Sequence, residues 1–274
     1  MPYTPRPYKI TGIKNLADDV KVFRIRCSMN PSPGRFMQVS IPGVGECPLT
    51  SCSYDPKYVD LLVRKAGNVT SALFRLKKGD RVFIRGPYGK GFPLNKIQKK
   101  KLILVAGGTG IAPVTSLIGY IEKNRREFGS VDIYFGFKDE GHILLKDKIR
   151  GWRKKFNIVV CLNKRVKDKK CEEGFVHEIM GKHWKNKDNK DTLAFLCGPE
   201  IMMDCVTKEL NSFGMGNNKI YWSLERRMEC AMGNCGRCLI QDLYVCKDGP
   251  VFRYDLIKPK IENEKASNED YKGR

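Results

Sequence analysis

The sequence predicts a β-barrel, then an α/β domain with a parallel sheet, then a small cysteine-bearing module. Three observations carry that prediction. The first part of the chain holds short apolar runs punctuated by Gly, Pro and Asp. From Lys101 onward such runs alternate with helix-like stretches. Near the C-terminus, four of the 11 cysteines crowd into the stretch ECAMGNCGRCLIQDLYVC.

In chain order, IKNLADDVKVFRIRC, GRFMQVSIPG, YVDLLVRKAG and DRVFIRGPYG are rich in Val, Ile and Phe and read as strands. One helix interrupts them, NVTSALFRLKKGD, with Leu73, Phe74 and Leu76 as its apolar face and Gly79 as its stop. Many short strands with turn signals predict a small barrel. The texture then changes. KLILVAGGTGIAPVTSLIGYIEKN is a buried strand, a glycine loop and an amphipathic helix, and VDIYFGF, FNIVVCL, TLAFLCGP and KIYWSLE follow as further strands. HILLKDKIRGW, GFVHEIMG and PEIMMDCVTKELNSFG separate these as helices, which predicts βαβ units and a parallel sheet. The expected division is a barrel domain over residues 1–98, an α/β domain over 99–222, a cysteine module over 223–257 and a disordered tail over 258–274, with the first boundary in the basic KIQKKK.

Composition bounds the function. Hydrophobic content of 41% suffices for ordinary cores, and no apolar run is long enough to cross a bilayer. MPYTPRPYKI has no apolar signal region, so a cytoplasmic, reducing location is expected, where cysteines serve as metal ligands or free thiols more than as disulfides. The net charge of +21 raises nucleic acid as a partner, but the lysines are spread over KKGD, KIQKKK, KRVKDKK and KHWKNKDNK, at turns and element ends. A lysine-rich surface, or an acidic protein partner, is the preferred reading; nucleic acid is not expected.

Two loops at strand ends point to a nucleotide. In VAGGTGIAP a strand runs into Gly107, Gly108, Thr109 and Gly110 and a helix follows, so free backbone N–H groups gather where a phosphate is favoured. The strict G-x-G-x-x-G fingerprint is not met, because Pro113 stands at the third glycine, and a ligand-free tight turn competes. The second loop is Cys197-Gly198-Pro199, at the end of TLAFLCGP. In an open parallel sheet, ligands bind beyond the carboxyl ends of the strands, where both loops lie. For Cys197 alone, a small buried thiol is the competing explanation.

Cys230, Cys235, Cys238 and Cys246 have the form C-x4-C-x2-C-x7-C, whose first three positions match the plant-type spacing for a [2Fe–2S] cluster. Gly233 and Gly236 lie between them, where a loop turning around a cluster needs small residues. A zinc knuckle would prefer two C-x2-C pairs and only one is present, so iron–sulfur is preferred. Arg226, Arg227, Arg237 and Lys247 flank the ligands and would favour the reduced cluster.

A β domain, a GGTGIAP domain with CGP, and a cysteine loop of this spacing, in this order, resemble the ferredoxin–NADP⁺ reductase-like superfamily. More narrowly they resemble its electron-transfer subunits with a C-terminal cluster: those of dihydroorotate dehydrogenase, of sulfhydrogenase (its gamma subunit) and, most of all, of anaerobic sulfite reductase. The stretches DLLVRKAGNVTSALFRLKKGDRVFIRGPYGKGFP, VAGGTGIAP and ERRMECAMGNCGRC…YVCKDGPVF carry the resemblance, which spans about residues 5–257. It implies a Greek-key barrel binding FAD. The family's R-x-Y-S becomes Pro48-Leu49-Thr50-Ser51 here, without its arginine, while Leu62-Val63-Arg64 and the run Gly67, Asn68, Val69, Thr70 match the later motif. Arg64 would neutralise the FAD pyrophosphate, helped by Thr70 and backbone N–H groups.

The resemblance further implies NAD(P)H along GGTG, with Cys197 near the contact of nicotinamide and flavin, and partner redox subunits that take single electrons from the cluster. Asp139 and Glu140 would repel a 2′-phosphate and Lys138 attract it, which tilts the choice towards NADH. His142, His177 and His183 have no carboxylate partner by spacing, and surface roles are expected.

Overall fold

The computed structural model describes residues 3–164, 166–184 and 189–272. Part of the lysine run KHWKNKDNK and the last two residues of the expected tail therefore lie outside the described residues.

Six strands form the first sheet: β1 (Arg6–Ala17), β2 (Val20–Arg26), β3 (Phe36–Ile41), β4 (Gly45–Thr50), β5 (Tyr58–Arg64) and β6 (Arg81–Tyr88). They pair antiparallel in the order β4-β3-β6-β1-β2-β5. A single bridge between Ser51 and Leu61 joins the two edges and closes the barrel. Ile10, Phe23, Met37, Leu61 and Ile84 fill it, each fully buried. The run IKNLADDVKVFRIRC is two strands rather than one, with the turn at Asp18-Asp19. Helix α1 (Asn68–Arg75) covers one end through Leu73, and the short α2 (Leu94–Ile97) leads out of the barrel.

The second sheet begins at β7 (Lys101–Gly107), followed by α3 (Ile111–Lys123), β8 (Val131–Phe137), α4 (Lys146–Trp152), β9 (Asn157–Leu162), β10 (Glu172–Glu173), α5 (Val176–Trp184), β11 (Thr192–Cys197), α6 (Glu200–Ser212) and β12 (Ile220–Ser223). These strands are parallel, in the order β10-β9-β8-β7-β11-β12. The order reverses direction between β7 and β11, the switch point where such sheets open a ligand crevice. Both faces are covered, so the strands read as continuous apolar runs.

Beyond β12 come a minimal hairpin, β13 (Leu239–Ile240) and β14 (Leu243–Tyr244), the helical turn α7 (Val245–Asp248), β15 (Val251–Arg253) and α8 (Tyr254–Lys272). β15 pairs antiparallel with β12, Ser223 opposite Val251, so the chain returns to the nucleotide-domain sheet after the cysteines.

The segment from residue 258 is expected to be disordered, but α8 runs through it as far as Lys272. Few apolar residues suffice here because they fall on one helical face: Ile257 and Ile261 are buried, and the Tyr254 ring stacks on Trp222 at 4.5 Å. Ile257→Ala is therefore expected to cost about 2–5 kcal/mol, read as a lower urea midpoint. No helix among the described residues is long and apolar enough to cross a membrane.

Candidate functional site

Adjacent strands β7 and β11 end side by side, Ala106 opposite Cys197, and place GGTG against CGP. The fit depends on missing side chains. A Cβ on Gly110 would lie 2.4 Å from the Cys197 carbonyl oxygen, and one on Gly198 would lie 2.9 Å from the Gly107 nitrogen. Gly108 differs: its φ of +53° is left-handed and a Cβ would meet nothing within 4 Å, so it faces the open crevice.

Three cavities meet at these loops. The largest, ≈ 650 Å³, lies between Ala17, Asp19 and Val20 of the barrel and Gly107–Thr109, Lys138, His142 and His177 of the sheet domain. A second, ≈ 330 Å³, is lined by Gly107–Gly110, Gly198, Pro199 and Glu225. The third, ≈ 280 Å³, lies where barrel and sheet domain meet, among Pro48, Leu49, Thr50, Leu62, Cys197 and Met228. Arg64 lines all three. Its guanidinium is exposed and makes no hydrogen bond or ion pair with the described residues. A free cation beside backbone N–H groups is the donor set a pyrophosphate requires.

Of the residues expected to bind cofactors, Pro48, Leu49, Thr50, Leu62, Arg64, Gly107, Gly108, Thr109, Gly110, Cys197, Gly198 and Pro199 all line these cavities. The others do not. Ser51 is buried and its hydroxyl bonds Ser53, and the Val63 side chain packs inside the barrel. Thr70 Oγ1 accepts from the Ala66 and Gly67 nitrogens, both at 2.9 Å, and so closes the turn before α1. Gly67 and Val69 shape the same turn without lining a cavity. The Thr70 hydroxyl is thus committed to that turn, whereas the Arg64 side chain is not bonded to the described residues.

The acidic residues after β8 are already committed, Asp139 within its own turn and Glu140 to the loop after β9. Asp139 Oδ1 accepts from the Gly141 and His142 nitrogens and lies 2.6 Å from His142 Nδ1, and Glu140 Oε1 accepts from the Lys167 and Asp168 nitrogens. These bonds hold both carboxyls below their ordinary range. His183 Nε2 lies 2.7 Å from Glu172, so His142 and His183 do have carboxylate partners, one local and one across eleven residues. His177 stacks on Phe175 at the rim of the largest cavity.

Cys197 is 3% exposed, and burial pushes its thiol up to about 12 although Ser223 hydrogen-bonds it. At neutral pH it is a thiol, not a thiolate.

The cysteine loop follows directly. Met228 lines the third cavity and Cys230 stands two residues on. Positive φ at Ala231, Gly233 and Gly236 curls the backbone so that its N–H groups face sulfur. Cys230 Sγ accepts from the Met232, Asn234 and Cys235 nitrogens at 3.4 Å each, and Cys246 Sγ from Gly233 at 3.2 Å. Burial works against ionisation of Cys230, yet those three donors bring it down to about 6. Burial and the neighbouring Cys238 push Cys246 up to about 12.

The sulfurs interact most strongly in two pairs, and Cys246 also lies close enough to Cys230 to feel its charge. Cys230 is in hydrogen-bond contact with Cys235, and Cys238 with Cys246. No three His, Cys, Asp or Glu side chains among the described residues form a single-ion site. Two thiols on each of two irons fits this pairing better than four around one zinc ion. Cys235 is exposed while Cys238 and Cys246 are buried, so one pair stands at the surface and the other inside.

The flanking cations are less free than their sequence positions suggest. Arg226 bonds Glu264 at 2.9 Å, and Arg227 and Arg237 share Glu229 at 3.1 and 3.5 Å. A cation absent from the sequence expectation comes from the barrel instead: Arg85 donates to the Cys230 carbonyl at 2.8 Å.

Comparison with known proteins agrees with this architecture. Residues 104–208 match the oxidoreductase NAD-binding domain, and residues 225–258, which hold all four cysteines, match the iron–sulfur cluster binding domain of dihydroorotate dehydrogenase B. The sulfhydrogenase 2 subunit gamma of Pyrococcus furiosus is 34% identical over 92% of this chain and 96% of its own. A probable dihydroorotate dehydrogenase B (NAD(+)) electron transfer subunit of Thermococcus kodakarensis is also 34% identical, over 92% and 97%. Among solved structures, a chain of an NADH-dependent reduced ferredoxin–NADP oxidoreductase superposes with a TM-score of 0.76 at 24% identity, covering 96% of this chain and 97% of that one. The cytochrome b5 reductase domain of Ulva prolifera nitrate reductase gives 0.66 at 19% identity, over 80% of this chain and 97% of that one. From its near full-length identity to these subunits and its two matched domains, the chain belongs to the family of NAD-dependent oxidoreductase electron-transfer subunits that carry a C-terminal iron–sulfur binding domain.

Proposed function

We propose that this chain takes electrons from NADH, holds FAD where barrel and sheet domain meet, and passes single electrons through a [2Fe–2S] cluster to a catalytic partner subunit. The observation that carries this reading is the continuity of the site. Arg64 stands where three cavities join, and the innermost of them reaches Met228, two residues from a cluster ligand. When bound, a flavin converts two-electron hydride chemistry into the single-electron steps a cluster accepts.

The chain's own residues have separable tasks. Gly107–Gly110 and the start of α3 offer N–H groups to the dinucleotide phosphates. Arg64 neutralises the FAD pyrophosphate, and Pro48, Leu49, Thr50 and Leu62 form the wall against the ring. Cys197 and Pro199 hold the nicotinamide end dry. Cys230, Cys235, Cys238 and Cys246 bind the cluster. The working division is 1–98 for FAD, 99–222 for NADH and 223–257 for the cluster.

NADH is favoured by the acidic pair Asp139 and Glu140, which fall in sequence between the cavity-lining Lys138 and His142, and by the Thermococcus relative, which carries NAD(+) in its name. For the partner, we propose the catalytic subunit of an anaerobic sulfite reductase, on the resemblance carried by the cysteine and GGTG stretches. A sulfhydrogenase partner is the second reading, favoured by the 34% identity to the Pyrococcus gamma subunit.

A visible spectrum of the anaerobically purified protein tests the core of the proposal. Flavin and [2Fe–2S] bands that bleach with NADH are expected; a colourless protein holding only zinc would overturn it. Affinity capture from the native host then separates the partners, by recovery of a sulfite-reducing or a hydrogen-activating subunit.

Because the Cys197 thiol stays protonated to about 12, Cys197→Ser is expected to leave the pH profile of NADH oxidation superimposable on the parent's. The window to measure is about pH 6–9, where ordinary thiols begin to ionise. A limb that moves with the substitution would make this thiol an ionising participant.

A further inference from the structure

The segment between the flavin cavity and the cluster is held from the barrel. Three successive carbonyls, of Met228, Glu229 and Cys230, accept hydrogen bonds from side chains of β3 and β6. Gln38 and Arg85 are cross-strand neighbours in the barrel and supply all of these donors. Gln38 Nε2 lies 3.1 Å from the Met228 oxygen and 3.3 Å from that of Glu229. Arg85 reaches the Glu229 oxygen at 3.0 Å and the Cys230 oxygen at 2.8 Å.

Arg85 is itself fixed. It is 9% exposed, and its other N–H groups grip Glu46 at 2.5–3.1 Å and Tyr88 Oη at 3.3 Å. Glu46 is steadied by the Ser40 hydroxyl at 2.6 Å. A two-pronged guanidinium with every direction occupied is a rigid fixture, unlike a surface cation. The turn after β6 holds the far end of the cysteine loop as well: the Lys90 nitrogen donates to the Gly249 oxygen at 2.6 Å, and a Cβ on Gly89 would lie 2.5 Å from that oxygen.

We propose that Arg85 is the positioning residue through which the barrel fixes the distance from flavin to cluster and places a buried positive charge beside the outer pair of cluster ligands. It touches the carbonyl of a ligand residue, so it acts on the cluster through the backbone of Cys230. The paired Glu46 partly offsets its charge; it takes Nε and one N–H of Nη2, while Nη1 reaches the Cys230 carbonyl and the other N–H of Nη2 that of Glu229. The inference rests on the proposed FAD-to-cluster route.

The test is Arg85→Met, similar in length and uncharged, with Arg85→Lys and Gln38→Met beside it. Three quantities are read: iron content, the cluster's midpoint potential by EPR-monitored titration, and its rate of reduction in anaerobic stopped flow, with flavin reduction in the same trace as reference. A loop shifted by about an ångström away from the flavin is expected to slow cluster reduction several-fold relative to flavin reduction, because single-electron transfer weakens exponentially with distance. In Arg85→Met the potential falls as well, because a cation that favoured the reduced cluster is gone. Arg85→Lys restores the potential more than the rate, since it keeps the charge and loses the fork. Gln38→Met slows transfer at unchanged potential. Should Arg85→Met fail to load iron, Arg85→Lys and Gln38→Met still decide. Parent-like rate and potential in iron-loaded variants overturn the inference, whereas a parent protein without flavin or cluster refutes the underlying route instead.

Discussion

Arg64→Ala is expected to weaken FAD binding about 10–100-fold, equal to the loss of about 1.5–3 kcal/mol from a charge-assisted contact. The protein would purify with little flavin, and NADH oxidation would return on adding FAD. Flavin content per chain and an FAD titration of activity measure this. The expectation rests on isolation. Most arginines near the site are already committed, Arg85 to Glu46 and Arg226 to Glu264, whereas Arg64 has no partner among the described residues and lines all three cavities. With proline at the position of the family's R-x-Y-S arginine, no second cation stands on that strand end to compensate. Full flavin occupancy in Arg64→Ala would place the pyrophosphate elsewhere.

The second large effect is expected from Cys238→Ser. This cysteine is 2% exposed and interacts with Cys246, so on the proposed assignment its loss would remove a ligand that solvent cannot replace. The cluster spectrum and its EPR signal should vanish, and with them reduction of the partner subunit. Hydride transfer to flavin, assayed with a small two-electron dye, should remain, because Cys197 and GGTG belong to separate elements. The outer pair should respond differently: Cys235 is exposed, and Cys235→Ser is expected to leave a labile cluster with a shifted signal. Loss of flavin reduction in Cys238→Ser, at parent-like flavin content, would show that the two halves are not separable in this way.

What could be read from the sequence was local. The GGTG and CGP loops declare themselves because a Cβ at Gly110 or Gly198 would come within 3 Å of facing backbone, so only glycine fits. The cysteine segment stands out by its spacing, and residues 225–258 match an iron–sulfur cluster binding domain. The fold class followed from apolar runs whose period changes at Lys101. What escaped was long-range or conformational. Arg85 and Gln38 lie 145 and 190 residues from the carbonyls they hold, and nothing near either residue announces that duty. Thr70 has the residue type a phosphate site uses, but its hydroxyl is consumed by the turn it begins. Asp139 and His142 form a pair three residues apart whose existence depends on a short helical turn between them. The last helix was hidden by averaging over a charged segment, although Tyr254, Ile257 and Ile261 are buried along it.

The return of β15 to β12 changes what kind of object the cysteine segment is. It begins and ends on two paired strands, Ser223 opposite Val251, and the Leu224 nitrogen is bonded to the Pro250 oxygen at 2.9 Å. It is thus an insertion stitched at both ends into one sheet, not a pendant on a tether. A carrier on a tether must search for its donor, and its transfer rate carries the cost of that search. On the proposed route the donor-to-acceptor geometry would be set when the chain folds, so motion would belong to a partner coming to the exposed Cys235 and not to this chain.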